Sequence, residues 1–201
     1  MFPGLAVAET MLRRQHQVKL LVSRKTFDSA ALAALTNRCN PSGIVVQSIA
    51  AVGYTGSRHL IRFCYRLARA VGDCAGVCNE FRPDVVLGMG GFTSAPAVLA
   101  ARWRRNGTAI LIHESNAVPG KANRWAGKLA DHVAVGLAEC AQFFGRKPVT
   151  VTGTPIRSGL RAGKIAGAHQ RLGLRPGRLT VLVMGGSQGA RAINEETAAA
   201  A

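Results

Sequence analysis

Apolar and polar positions along this chain switch repeatedly between a period of about two and a period of about 3.6, which predicts alternating strands and helices. Val85-Val86-Leu87 is a short β-branched and aliphatic run, the signature of a buried strand. It breaks at Gly88-Met89-Gly90-Gly91, and a helical pattern through about residue 105 opens at Thr93, Ser94 and Pro96. The same grammar returns near the C-terminus, where residues 179–184 run into Gly185-Gly186-Ser187-Gln188-Gly189. Further helices are predicted at 2–15, 27–36, 58–81, 120–129 and 139–144, and strands at 18–23, 44–49, 108–112, 133–135 and 149–152. At Thr152-Gly153-Thr154-Pro155 the pattern stops, and 159–177, rich in Gly, Arg and Ala, reads as a linker with one short helix. Strands alternating with helices imply an α/β chain with a doubly wound parallel sheet, whose ligands sit beyond the C-terminal strand ends. The expected organisation is a domain over 1–156, a linker over 157–178 and the first βα unit of a second domain over 179–201.

Both glycine turns carry candidate chemistry. Glycine lets a backbone turn sharply and approach a ligand closely, and the helix that follows aims free N–H groups and a positive dipole end at the turn. Two such units read as a pair of phosphate-facing loops, the plain alternative being glycines used for packing. His113-Glu114-Ser115-Asn116 follows the strand at 108–112, so it shares the edge of the Gly88–Gly91 turn and would complete a cleft.

Composition narrows the partners. With 48% hydrophobic and 18% charged residues the 201-residue chain is core-forming, and its net charge of +16 implies an anionic partner. Nucleic acid is disfavoured, because only 5% of residues are aromatic and none interleave with arginines as a stacking platform. Along 58–81, Arg58, Arg62, Arg66 and Arg69 gather on one side. Leu60, Phe63, Cys64, Leu67 and Val71 gather on the other, with Ile61 and Tyr65 at the margin. One reading lays Arg58, Arg62, Phe63, Arg66 and Leu67, with Trp103 of Arg102-Trp103-Arg104-Arg105, against anionic headgroups. The other is an ordinary surface helix with a solvated basic face. No window reaches the roughly 18 apolar residues of a spanning helix, and the N-terminus has no signal-peptide layout. Cys39, Cys64, Cys74, Cys78 and Cys140 are odd in number and scattered, which reads as reduced thiols. Cys74 and Cys78 lie four apart without a second ligand pair, and there is no Asp-x-Asp, so no metal is expected.

Taken together, Phe2-Pro3-Gly4-Leu5-Ala6-Val7-Ala8-Glu9, Pro83 to Phe92, His113-Glu114-Ser115-Asn116-Ala117-Val118-Pro119-Gly120, Gly153-Thr154-Pro155-Ile156-Arg157 and Gly185 to Asn194 resemble, in order, the signatures of the MurG family of N-acetylglucosaminyltransferases. The resemblance implies a GT-B fold, two Rossmann-like domains facing across a cleft. It also implies inverting transfer of N-acetylglucosamine from UDP-N-acetylglucosamine to undecaprenyl-pyrophosphoryl-N-acetylmuramyl-pentapeptide, without cofactor or metal. The setting it implies is peripheral, at an anionic membrane surface on the cytoplasmic face of the bacterial plasma membrane. Carried over motif by motif, Gly88, Gly90 and Gly91 would cradle the acceptor pyrophosphate. Asn116, Arg157, Gly185, Gly186 and Ser187 would meet the donor. The alternatives are a loop-capping Asn116 and a surface Arg157. His113 is a weak candidate for a base, a structural His–Glu hydrogen bond being the commoner use of such a pair.

Three departures from the family pattern bear on function. The family's Gly-Gly-Thr-Gly-Gly-His segment, with its suspected base histidine, would precede Phe2. The chain reaches Ala201 before the segments that contact uracil and ribose, and Ser115 stands where glutamine is usual. The expectation is a fragment, inactive as given, whose sheet lacks its first strand and so has an interior strand position empty. The alternatives are a non-catalytic membrane- or prenyl-pyrophosphate-binding remnant and another GT-B UDP-sugar transferase.

Overall fold

The structure, a computed structural model, describes residues 2–23, 44–49, 60–91, 93–104, 107–156, 167–175, 177–183 and 190–200. It divides into two units, Met1–Leu160 and Arg161–Ala201.

The first unit contains α1 (Phe2–Arg13), β1 (Val18–Ser23), β2 (Ile44–Ile49), α2 (Leu60–Phe81), β3 (Val85–Gly88) and α3 (Ala95–Arg104). After these come β4 (Ala109–Glu114), α4 (Lys121–Leu129), β5 (His132–Val135), a 3-10 helix (Ala138–Phe144) and β6 (Val149–Val151). All strand pairs are parallel, in two sheets: β1 beside β2, and β3-β4-β5-β6 in that order. Where the sequence predicts a single sheet, the described residues form two, β1-β2 and β3-β4-β5-β6. The predicted helix at 27–36 lies outside the described residues, and the predicted helix at 139–144 is a 3-10 helix.

Helix ends follow local chemistry. α1 stops in a Schellman motif: Gln15 takes φ 63, its N–H reaches Leu12 O at 2.9 Å and the His16 N–H reaches Met11 O at 3.0 Å. α2 stops where Arg82 takes φ 48 just ahead of Pro83, which cannot continue a helix.

Packing assigns each face. Leu5 and Ala8 of α1 pack with Val18, Leu20 and Val46 on β1 and β2. The neighbouring Leu21 points the other way, to Ile49, Val71 and Cys74, as the period of two requires. The main core joins Val98 of α3, Ile110 and Ile112 of β4, Ala126 of α4 and Val133 and Val135 of β5. α3 serves both layers, since Ala100 lies in the Cys74 cluster and Ala101 in the Ile112 cluster. The small residues of α3 allow that double contact.

The second unit has a short helix α5 (Ala168–Arg171) and α6 (Arg191–Ala200), braced by Arg191 Nε and Glu195 Oε1 at 2.6 Å. The strand predicted at 179–184 is corrected: the described residues 179–183 form none, and Leu179, Val181, Leu182 and Val183 are exposed. A strand exists only through a neighbour's N–H and C=O groups, and 179–183 pair with none among the described residues. Among the described residues no helix is long and apolar enough to cross a membrane.

Candidate functional site

Parallel strands send their following turns to one edge, so the segments after Gly88, Glu114, Val135 and Val151 share that edge. The three glycines of the first turn differ in what they do. A Cβ at Gly88 would stand 2.7 Å from Ile112 Cδ1 and 3.5 Å from Ser94 Cβ and Val98 Cγ2, so this glycine sits in close packing between β3, β4 and α3. Gly90 and Gly91 have φ of 91° and 76°, backbone that glycine adopts at little cost. A Cβ at Gly90 would also meet Asn123 Nδ2 at 3.2 Å. Ser94 closes the turn by donating from Oγ to Gly91 O at 2.9 Å, which starts α3 in a fixed direction. The first turn of α1 lies beside it, Gly4 facing Met89 Cγ.

The end of β4 carries two buried polar neighbours, and they serve different partners. His113 lies 3.0 Å through Nε2 from Gly153 O; a carbonyl only accepts, so Nε2 carries the proton. Glu114, only 5% exposed, accepts four hydrogen bonds. Oε1 takes the Asn116 N–H at 3.0 Å and Asn116 Nδ2 at 2.8 Å. Oε2 takes the Gly120 N–H at 3.3 Å and Asn123 Nδ2 at 2.9 Å. A buried carboxylate is costly unless hydrogen-bonded, and these four donors offset that cost. Asn123, 3% exposed in the first turn of α4, donates also to His113 O at 3.1 Å, and its Oδ1 has no donor. Burial raises the Cys140 thiol above its ordinary range, and the nearby Glu114 charge adds to the effect.

The segment at 152–154 closes on the same edge. Gly153 has φ 73, and its carbonyl is the one His113 engages. Gly136 sits between: a Cβ there would stand 2.7 Å from Thr154 Oγ1 and 3.0 Å from Ser115 O. Its own N–H donates to Glu114 O at 2.7 Å.

The sequence-derived site is therefore partly assembled. Gly90 and Asn116, 26 positions apart, are joined through Asn123 and Glu114. Arg58, Arg157, Gly185, Gly186 and Ser187 lie outside the described residues. The expected His–Glu hydrogen bond is absent, because adjacent strand residues point to opposite faces; His113 instead holds Gly153. On α2, Arg62 and Arg66 are exposed, as is Trp103 on α3. Leu67 and Phe63 are both half-buried, and Leu67 packs against the Val71–Cys74 cluster. Cys64, expected on the apolar side, is exposed, while Ile61 and Tyr65 lie fully on the basic face. The helix turns its small residues Ala70, Cys74 and Cys78 inward, which rotates Ile61 and Tyr65 out. Among the described residues no group of three or more His, Cys, Asp or Glu could hold a metal ion. Sequence reasoning missed Glu114 as the organising group and Asn123 altogether. The available signal was a carboxylate on the last residue of an apolar strand, followed within a few positions by two asparagines and turn residues.

Residues 1–135 match the glycosyltransferase family 28 N-terminal domain. The chain belongs to glycosyltransferase family 28. It is 32% identical over 195 residues to the UDP-N-acetylglucosamine–N-acetylmuramyl-(pentapeptide) pyrophosphoryl-undecaprenol N-acetylglucosamine transferase of Thermodesulfovibrio yellowstonii, covering 97% of this chain and 52% of that protein. The enzyme of the same name from Coxiella burnetii is 35% identical over 201 residues, covering 99% and 52%. Among solved structures, MurG of Acinetobacter baumannii superposes with a TM-score of 0.58 at 25% identity, over 79% of this family 28 chain and 42% of that one. The chain thus spans about half the length of the curated relatives it matches.

Proposed function

We propose that this family 28 chain supplies the acceptor-side domain of an inverting N-acetylglucosaminyltransferase. Its substrates in this reading are UDP-N-acetylglucosamine and undecaprenyl-pyrophosphoryl-N-acetylmuramyl-pentapeptide. The observation that carries the reading is the meeting of the Gly90–Gly91 turn with the Glu114–Asn116 segment at one sheet edge, through Asn123. A glycine turn ahead of a helix offers amides and a dipole to a pyrophosphate; the neighbouring exposed amide suits an uncharged sugar. Gly90 and Gly91 therefore hold the acceptor pyrophosphate, while Gly88 shapes the turn through packing. Asn116 meets the N-acetylglucosamine, and Arg157, Gly185, Gly186 and Ser187 serve the nucleotide. The relatives' names, all for transferases of this sugar to a pyrophosphoryl-undecaprenol carrier, support the choice of substrate.

The exposed Arg62 and Arg66, with Ile61 and Tyr65 on the same face and the exposed Trp103, support peripheral attachment at the cytoplasmic face of a bacterial plasma membrane. Each arginine near an anionic surface contributes on the order of 1 kcal/mol. The chain is proposed to bind the lipid-linked acceptor.

The test is acceptor binding on vesicles of fixed anionic lipid content, comparing the parent with Gly90→Ala. An alanine at φ 91 is strained and crowds Asn123, so at least several-fold weaker acceptor binding at equal vesicle binding is expected. Equal acceptor affinity in the two chains would remove the glycine turn from the site.

A further inference from the structure

We infer that Glu114 is a positioning residue that turns the Asn116 amide so that only its oxygen faces a ligand, making Asn116 a reader of an uncharged donor, a sugar hydroxyl or acetamido N–H, and not of a phosphate. The inference rests on the reading above that Asn116 meets the transferred sugar, and it names the atom and the polarity of that contact.

A carboxylate only accepts hydrogen bonds, so the amide atom 2.8 Å from Glu114 Oε1 has to be Nδ2. Reversing the amide would set the Asn116 oxygen lone pairs against a buried negative charge. The backbone N–H of Asn116 reaches the same Oε1 at 3.0 Å, so main chain and side chain are gripped together. Asn116 is itself exposed, and its Oδ1 has no partner among the described residues. What the segment offers a ligand is therefore an acceptor in a fixed direction. A phosphate carries acceptor oxygens and would be repelled there; a hydroxyl or amide N–H would be bound.

The second oxygen of Glu114 repeats the arrangement. Asn123 Nδ2 is shared between Glu114 Oε2 and His113 O, and both accept, so this amide cannot reverse either. Its Oδ1 is left without a donor, and lies 3.8 Å from where a Cβ on Gly90 would stand. One carboxylate thus orients two amides in one segment, and no ion pair within the described residues competes for it.

The experiment uses the full 201-residue chain and the variants Glu114→Gln, Asn116→Asp and Asn116→Ala, each checked for fold by circular dichroism. Side-chain amide NMR is read first. In the parent, one Asn116 Nδ2 proton is shifted downfield and exchanges slowly, and in Glu114→Gln both features are lost. Binding of N-acetylglucosamine and of inorganic phosphate is read second, by saturation transfer and chemical-shift titration. Glu114→Gln weakens the sugar by about three- to tenfold, the scale of one hydrogen bond, and leaves phosphate unchanged. The double variant Glu114→Gln/Asn116→Ala binds the sugar no more weakly than Asn116→Ala, since Glu114 acts through Asn116. Should Glu114→Gln fail to fold, Asn116→Asp, at an exposed position, stands in for it. It sets a second carboxylate beside Glu114 and loses the sugar selectively. A solvent-like Asn116 amide in the parent, or additive losses in the double variant, would overturn the inference alone. A normal amide signature with no N-acetylglucosamine bound at the Asn116 amide would overturn the sugar contact and, with it, the functional reading of Asn116.

Discussion

Replacing Gly136 with alanine tests whether the site is a rigid seam of three segments. The added Cβ would stand 2.7 Å from Thr154 Oγ1, 3.0 Å from Ser115 O and 3.1 Å from Ser115 Cα. Thr154 presents a side chain that can rotate, but Ser115 presents backbone. That backbone is bound at both ends, by the Gly136 N–H on Glu114 O and by the Asn116 N–H on Glu114 Oε1. It cannot yield without stretching one of those bonds. Overpacking of this kind costs about 1–3 kcal/mol, and the reduced freedom of the unfolded chain returns about 0.4–1 kcal/mol, leaving a net loss of about 0–2.6 kcal/mol, near 1.3 kcal/mol at mid-range. For a chain of this size that lowers the melting temperature by roughly 2–4 °C per kcal/mol. The assay is urea and thermal denaturation followed by circular dichroism, with Gly120→Ala as the matched control. Gly120 has φ −62° and open space around its Cβ, and its N–H to Glu114 survives the substitution. The same unfolded-chain gain applies to the control, but Gly120 is the N-cap of α4, where alanine is the poorer residue, so the two offset each other to within about 0.5 kcal/mol. If Gly136→Ala were as stable as Gly120→Ala, the segments after β4, β5 and β6 would not be pressed together as described.

Two further predictions concern α2. Gly72 and Gly76 have open space around their Cβ positions within that helix, so alanine at either should raise stability by about 0.5–1 kcal/mol, read as a higher urea midpoint; a lower midpoint would mean those positions are not helical. Burial pushes the Cys74 thiol up to about 12 from an ordinary 9.0, with Cys78 and Asp73 adding to it. The folded state then holds that proton more tightly than the unfolded one, so the stability it brings is complete below pH 9 and drains away as pH rises toward 12. Between pH 8 and 10.5 the parent should lose more stability than Cys74→Ala, and iodoacetamide should label the exposed Cys64 well before Cys74, Cys78 or Cys140; equal losses would show that Cys74 is not held in a desolvated site.

The order and kind of the elements were legible from the chain itself, because period and punctuation are local. Val85 to Leu87, the glycines after them and the Thr93–Pro96 opening specify strand, turn and helix without reference to anything distant. The same holds for the family, whose motifs are read residue by residue. Which side of α2 faces inward was not legible: Leu67 and Cys64 share an apolar face by spacing, yet Leu67 is half-buried against the cluster that joins α3 and β2 while Cys64 is exposed. The strand expected at 179–184 had the right composition, but strand pairing is a property of two segments and cannot be read from one. The Glu114 hub belongs to the same class. Its neighbours Asn116 and Gly120 are close in sequence, but only the fold of β4 against α4 brings Asn123 to the second oxygen and sets the Gly90 turn against it. Local chemistry determined what each segment could become; hydrogen-bond partners that are distant along the chain decided which atoms the site presents.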